Sequence, residues 1–190
     1  MKIGVLALQG AVAEHIRALQ ATGVEAVEIK RVEQLDHLDG LVIPGGESTT
    51  IGKLMVKYGF IDAIRQFYED GKALFGTCAG LIILAKDIES QEQKHLQVMD
   101  ISVARNAFGR QKESFETDLA VKGIDQPIRA VFIRAPLIKS VGQDVDILAE
   151  YNGEIVLARQ GRLLACSFHP ELTDDFRLHE YFVKIIKNEC

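Results

Sequence analysis

Cys78 stands between two glycines in Gly-Thr-Cys-Ala-Gly (residues 76–80), where one apolar run (73–75) gives way to another (79–85). Glycines on both sides let the backbone turn sharply and let neighbouring chain approach. A strand that turns into a helix across such a pattern lifts the side chain at its apex above the end of a sheet, as in a nucleophile elbow. The exposed N–H groups and positive dipole end of the following helix favour thiolate there. The Ala79 N–H is then aimed at a carbonyl under attack. The alternative for Cys78 is a packed core thiol.

Two further segments could complete the chemistry. In Pro-Gly-Gly-Glu-Ser-Thr (44–49) the paired glycines free the backbone to present N–H groups, Gly46 in particular, to a developing oxyanion. A plain turn with Ser48 or Thr49 as helix cap is the competing reading, and Lys53 does not complete a phosphate-binding loop. In Cys-Ser-Phe-His-Pro-Glu-Leu (166–172), His169 follows a strand-like run and Glu171 stands two positions on. In a near-extended segment with a turn, those two side chains share one side. The carboxylate can then fix the imidazole tautomer and leave the other ring nitrogen to take a thiol proton. His169 could equally be a surface-turn histidine. The other histidines are less suggestive: His15 and His179 lie in helical patterns, His37 and His95 in polar stretches. Cys166 reads as strand packing and Cys190 as a free terminal thiol.

These residues need elements to hold them. Residues 2–8 and 39–46 read as buried strands, and 24–30 as an outer strand. Val12, Ile16 and Leu19 line a helix that ends at Gly23; Ile61, Ile64, Phe67 and Tyr68 line another that ends at Gly71. Residues 73–75 supply a strand and 79–87 a helix behind it. This βαβ rhythm predicts an α/β fold, a three-layer, open, mostly parallel sheet with helices on both faces. The second half reads as strand-like pieces with short turns, Asn152-Gly153 marking a hairpin. A last helix carries Leu178, Phe182, Ile185 and Ile186 on one side, with Asp174 or Asp175 as its cap. No repeat or linker interrupts the chain, so residues 1–190 read as a single domain. Ligand chemistry in such sheets gathers at the carboxyl ends of the strands, which all three segments follow.

The bulk numbers point to small metabolites or another protein as partners. A formal charge of −5, from 22 basic and 27 acidic residues, is a poor match for a nucleic-acid surface. The longest nearly apolar run, residues 74–85, is far below the roughly 20 residues of a membrane helix, and no targeting segment is visible. Three widely spaced cysteines suit a reducing compartment, so the expected location is cytoplasmic.

Together, Gly-x-Cys-x-Gly, the upstream Pro-Gly-Gly and His-Pro-Glu resemble the triad-type, class I glutamine amidotransferases, whose sheet is flavodoxin-like. Leu-Gln-Gly-Ala-Val-Ala-Glu-His (8–15) and Arg-Asn-Ala-Phe-Gly-Arg-Gln (105–111) narrow the resemblance to the glutaminase subunits of pyridoxal 5'-phosphate synthase, over nearly the whole chain. The resemblance implies Cys78 as nucleophile, His169 as general base and acid, and Glu171 as its orienter, with Gly46 and Ala79 as oxyanion donors. It also implies L-glutamine binding by Gly46, Glu47, Ser48, Arg105, Ile133 and Arg134. Arg110 is a weaker candidate, and Gln9-Gly10 belongs at the pocket rim or a partner interface. Which arginine grips the α-carboxylate stays open. No metal or cofactor is expected. The implied partner is a (β/α)8-barrel synthase subunit, twelve of which carry twelve glutaminases. It condenses ammonia with ribose 5-phosphate and glyceraldehyde 3-phosphate. Two rival readings remain: another cysteine-dependent enzyme on the same sheet, or a regulatory subunit with a vestigial site.

Overall fold

A computed structural model describes residues 1–90, 92–105 and 114–190. Five parallel strands form one half of its main sheet, in the order β2 (Glu25–Ile29), β1 (Lys2–Leu6), β3 (Gly40–Ile43), β4 (Ala73–Thr77) and β12 (Leu163–Cys166). Beyond β12 the sheet continues through β11 (Glu154–Gln160), β9 (Leu137–Val141), β6 (Met99–Ala104) and β5 (Ala85–Ile88). There the pairings are antiparallel until β6 and β5, which run parallel. β10 (Asp146–Tyr151) pairs with β11 through the predicted Asn152-Gly153 turn, both residues at positive φ (51° and 78°), as the tightest hairpin turns demand. β7 (Ser114–Leu119) and β8 (Ile128–Ile133) form a separate antiparallel ribbon.

The continuous apolar runs of β1, β3, β4 and β12 follow from cover on both faces. On one face lie α2 (Ser48–Lys57), α3 (Phe60–Glu69) and α4 (Ala79–Leu84), whose Ile51, Met55, Ile64 and Leu81 join Leu41, Ile43 and Leu74 in one core. On the other lie α1 (Val12–Ala21), α5 (Arg177–Lys187) and the β7–β8 ribbon, whose Leu19, Phe182 and Phe132 join Ile3, Val42 and Phe75 in a second core. The expected α/β architecture is therefore the one observed, with an antiparallel extension. Among the described residues no helix is long and apolar enough to cross a membrane.

Two local expectations need correction. The helix after Cys78 stops at Leu84, and residues 85–88 form β5 instead of continuing it. Pairing with β6, Ala85 opposite Met99, supplies backbone partners that outweigh the modest helix preference of Ala-Lys-Asp. Asp175 accepts from the Arg177 N–H at 3.2 Å, but the N-cap position of α5 belongs to Phe176.

Candidate active site

The strands that precede the three motifs, β3, β4 and β12, are consecutive parallel neighbours, with Ile43 opposite Gly76 and Thr77 opposite Cys166. Their carboxyl ends lie in one row, and the loops that leave them converge. Cys78 occupies a strained turn between β4 and α4 (φ 50°, ψ −108°). Its N–H donates to the Cys166 carbonyl at 2.8 Å, and its carbonyl accepts from Leu81 N–H at 3.1 Å. The turn is tight because α4 lies directly on β3: a Cβ on Gly80 would fall on the Ile43 carbonyl. Gly45 packs beside both the Cys78 turn and the His169 ring; a Cβ there would stand 2.8 Å from His169 Cε1 and 3.3 Å from Cys78 Cβ. Any residue but glycine would press on both.

His169 is fixed from both sides. Its backbone N–H donates to the Val131 carbonyl of β8 at 2.8 Å. Pro170 opens a single 3-10 turn, Pro170–Leu172, that carries Glu171 beneath the ring, so the spacing works through a turn of helix more than an extended segment. His169 Nδ1–H donates to Glu171 Oε1 at 2.7 Å. Burial pulls the imidazole pKa down, but the hydrogen bonds to Cys78 and Glu171 outweigh it and lift the pKa to about 10. The ring is therefore a cation at neutral pH, already holding the proton that a leaving amine would need. Cys166, 88 residues from Cys78 in sequence (166 − 78), is wholly buried and hydrogen-bonded to the Phe168 carbonyl, as a packing residue should be.

Cys78 and His169 open onto a cavity of about 440 Å³, within the size range of small-molecule sites. Its wall gathers the residues expected from sequence: Gly46, Glu47 and Ser48 after β3, Ala79 beside the thiol, Arg105 after β6, Ile133 at the end of β8 and Arg134 just after it. Glu171 is absent from the wall because it is fully buried behind His169. Arg105 Nη2 is paired with Glu47 Oε1 at 2.8 Å and its Nη1 donates to Thr49 Oγ1 at 3.2 Å. Arg134 is held at φ 42° directly after β8. Arg110 and residues 106–111 of the motif that begins at Arg105 lie outside the described residues.

The glycine loop differs from the expected cap. Glu47, and neither Ser48 nor Thr49, caps α2, its carboxylate accepting from the N–H groups of Thr49 and Thr50. Burial opposes ionisation of Glu47, but the Thr50 and Thr49 hydrogen bonds together outweigh it and hold its pKa at about 2. Gln9, placed at the rim by its sequence context, does more than line it: its Oε1 accepts from the Glu47 N–H at 2.6 Å. Gly46 beside it has φ 141°, and a Cβ would stand 2.6 Å from that oxygen.

Ile82 and Pro136 complete the cavity wall and were not singled out in the sequence. Neither were Thr77, His15 and His179, all fully buried near Glu171. A signal did exist for the histidines. His15 shares its helical face with Leu19, and His179 with Phe182, so each sits in an apolar stripe where an imidazole must find internal partners. Among the described residues no group of acidic, histidine or cysteine side chains is arranged to hold a metal ion.

Comparison with known proteins finds clear relatives. A family model described as the SNO glutamine amidotransferase family matches residues 5–188. The chain is 70% identical to "Pyridoxal 5'-phosphate synthase subunit PdxT" of Niallia circulans, over 98% of both chains. It is 62% identical to the protein of the same name from Halalkalibacterium halodurans, over 98% of this chain and 95% of that one. A solved structure described as a glutamine amidotransferase superposes with TM-score 0.94 at 53% identity, covering 97% of this chain and 98% of the other. A second glutamine amidotransferase structure, from Thermotoga maritima, shares the fold, with TM-score 0.61 at 15% identity, over 100% of this chain and 83% of that one.

Proposed function

The chain belongs to the SNO glutamine amidotransferase family, and we propose that Cys78, His169 and Glu171 carry its reaction, the hydrolysis of L-glutamine to L-glutamate and ammonia. It is an enzyme, the glutaminase subunit that supplies ammonia for pyridoxal 5'-phosphate synthesis. The observation that carries the residue assignment is the convergence of three distant loops. The His169 imidazole and the Cys78 turn both pack against Gly45, and the ring is held at 2.7 Å by Glu171.

The steps follow from the site. The Cys78 sulfur attacks the side-chain amide carbon of glutamine, and the tetrahedral oxyanion is met by the N–H groups of Gly46 and Ala79. Losing one such donor costs about 3 kcal/mol of transition-state stabilisation. The His169 imidazolium gives its proton to the departing nitrogen, ammonia leaves and a glutamyl thioester remains. Neutral His169 then takes a proton from water, which attacks the thioester and releases glutamate. Glu171 keeps the Nδ1 proton in place throughout. The α-carboxylate of glutamine calls for a guanidinium and its α-ammonium for a carboxylate or a carbonyl. Arg105, Arg134, Glu47 and the backbone at Ser48 and Ile133 surround the cavity with those groups. Arg105 already neutralises Glu47, which favours Arg134 for the substrate carboxylate.

Ammonia in water at neutral pH is mostly protonated and no nucleophile, so release into a synthase subunit is the productive route. The partner is a pyridoxal 5'-phosphate synthase subunit, in a complex of twelve synthase subunits and twelve glutaminases, and the setting is the cytoplasm, where the three free thiols stay reduced. The isolated chain turns over weakly, because the Gly45-Gly46 backbone reaches its working orientation on the partner. Glutamate release is measured with and without the synthase subunit, for wild type and Cys78→Ala. Partner-dependent turnover that vanishes in the variant is expected; undiminished turnover in Cys78→Ala overturns the assignment.

A further inference from the structure

Behind the catalytic carboxylate lies a set of side chains that hydrolysis by Cys78, His169 and Glu171 leaves unused. His15 of α1, Thr77 at the end of β4 and His179 of α5 are fully buried, as is Glu171 itself. Glu171 gives Oε1 to His169. Its Oε2 is shut away from water and makes no hydrogen bond among the described residues, with His15 Nε2 standing 3.5 Å away. His15 Nε2 also stands 3.1 Å from Thr77 Oγ1, and His15 Nδ1 stands 3.0 Å from His179 Nε2. His179 Nδ1 is buried without a hydrogen-bond partner among the described residues. A continuous line of polar groups thus runs from the thiol to α5: Cys78, His169, Glu171, His15, His179.

Burial, then the neighbouring His179 and His169, hold His15 well below the usual imidazole pKa. Burial holds His179 at about 4. Both rings are neutral at physiological pH, so each has one N–H and one bare nitrogen. If His15 carries its proton on Nε2, it points a donor at Glu171 Oε2 and Thr77, and accepts from His179 Nε2–H on Nδ1. One buried lone pair, on His179 Nδ1, is then unmatched. The opposite arrangement turns a bare nitrogen toward the carboxylate and strands a buried N–H on His179. A buried anionic oxygen without a donor is the costlier defect.

We propose that His15 and His179 are positioning residues for the glutaminase: His179 fixes the tautomer of His15, and His15 Nε2–H holds the second oxygen of Glu171. This rests on the Cys78–His169–Glu171 reading. With a donor facing its second oxygen, Glu171 is restrained from rotating away from His169 as the imidazole gives up and regains its proton. The groups that face Glu171 are His169 from its own segment, His15 from α1 and Cys166 from β12. Cys78 lies beyond His169, and His179 meets His15 from α5.

Two measurements on the full chain test this. Long-range ¹⁵N–¹H correlation on the wild-type protein assigns the tautomers without reference to activity. Nε2–H on both His15 and His179 is expected, and a proton on His15 Nδ1 overturns the proposal. Glutaminase kinetics with the synthase subunit present then compare His15→Leu with His15→Gln, whose amide can reach the same oxygen. Loss of a hydrogen bond to a charged group should lower kcat in His15→Leu about 10- to 100-fold. KM for glutamine should stay within about twofold, and the alkaline limb of the kcat profile should move to lower pH as His169 loses its firmly held carboxylate. His15→Gln should recover most of the rate. Unchanged kcat and an unchanged profile in His15→Leu overturn the proposal. If His15→Leu does not fold, the tautomer result decides alone. Activity surviving in Cys78→Ala would instead remove the triad reading and leave the tautomers untouched.

Discussion

Glu171 has one hydrogen-bond donor at 2.7 Å, no access to water and a histidine behind it. A carboxylate so placed serves to hold a ring and offset its charge, and its amide should fail at the second task. Glu171→Gln is expected to lower kcat about 10⁴-fold, as loss of the orienting acid does in comparable triads. The same change should drop the His169 pKa from about 10, since the Glu171 hydrogen bond and charge are among the forces that raise it. NMR titration of the His169 ring reads this directly, and a pKa still near 10 would contradict the assignment. At this scale the sequence was most legible where partners are neighbours in the chain. His169 and Glu171 are two residues apart, and Cys78 is flanked by its own glycines. His15 and His179 were opaque because their partners are 62 and 164 residues away.

Helix α2 shows how an element couples stability to the site. Glu47 caps its first turn and also binds Arg105, so one side chain finishes the helix and shapes the cavity. Glu47→Ala should remove about 1 kcal/mol of capping, a fall in Tm of about 2–4 °C for a chain of this size. Loss of the Glu47 carboxylate from the cavity wall should also raise KM for glutamine. A thermal melt and a substrate titration check both, and an unchanged Tm would mean that Ser48 takes over the cap. The glycine pair of this loop was readable as a backbone device, but its cap was not. Ser, Thr and Glu stand together in the sequence, and only the entry angle from β3 decides which reaches the free N–H groups. Residues 85–88 teach the same lesson: taken alone they extend a helix, and a waiting strand edge made them β5.

For the whole molecule, the buried imidazoles set opposite limits on stability. His169 has a folded pKa of about 10, above the ordinary 6.5 of the unfolded chain. Its contribution is full below pH 6.5 and is lost as pH rises through about 10. His179, at about 4, and His15 shift the other way: the unfolded chain binds their protons more readily. Stability therefore falls as pH drops from 6.5 toward 4, by about 3 kcal/mol for His179 alone. Urea unfolding across pH 4–10 should give a maximum near neutrality. His179→Leu should flatten the acid side, and an acid limb as steep as wild type would disprove the role of that histidine.

The local devices were legible in the linear chain: the glycine-flanked turn at Cys78, the His-Pro-Glu step, the apolar strands and the helices that cover them. Each depends on residues within one or two turns of chain, where backbone geometry and side-chain pattern act directly. Only the folded chain sets β3, β4 and β12 side by side, bringing residues 46, 78 and 169 to one cavity. It alone joined His15, Thr77 and His179 behind Glu171. The reason is that strand order and buried polar partnerships are chosen by what the whole chain can bury and satisfy at once, which no local stretch contains.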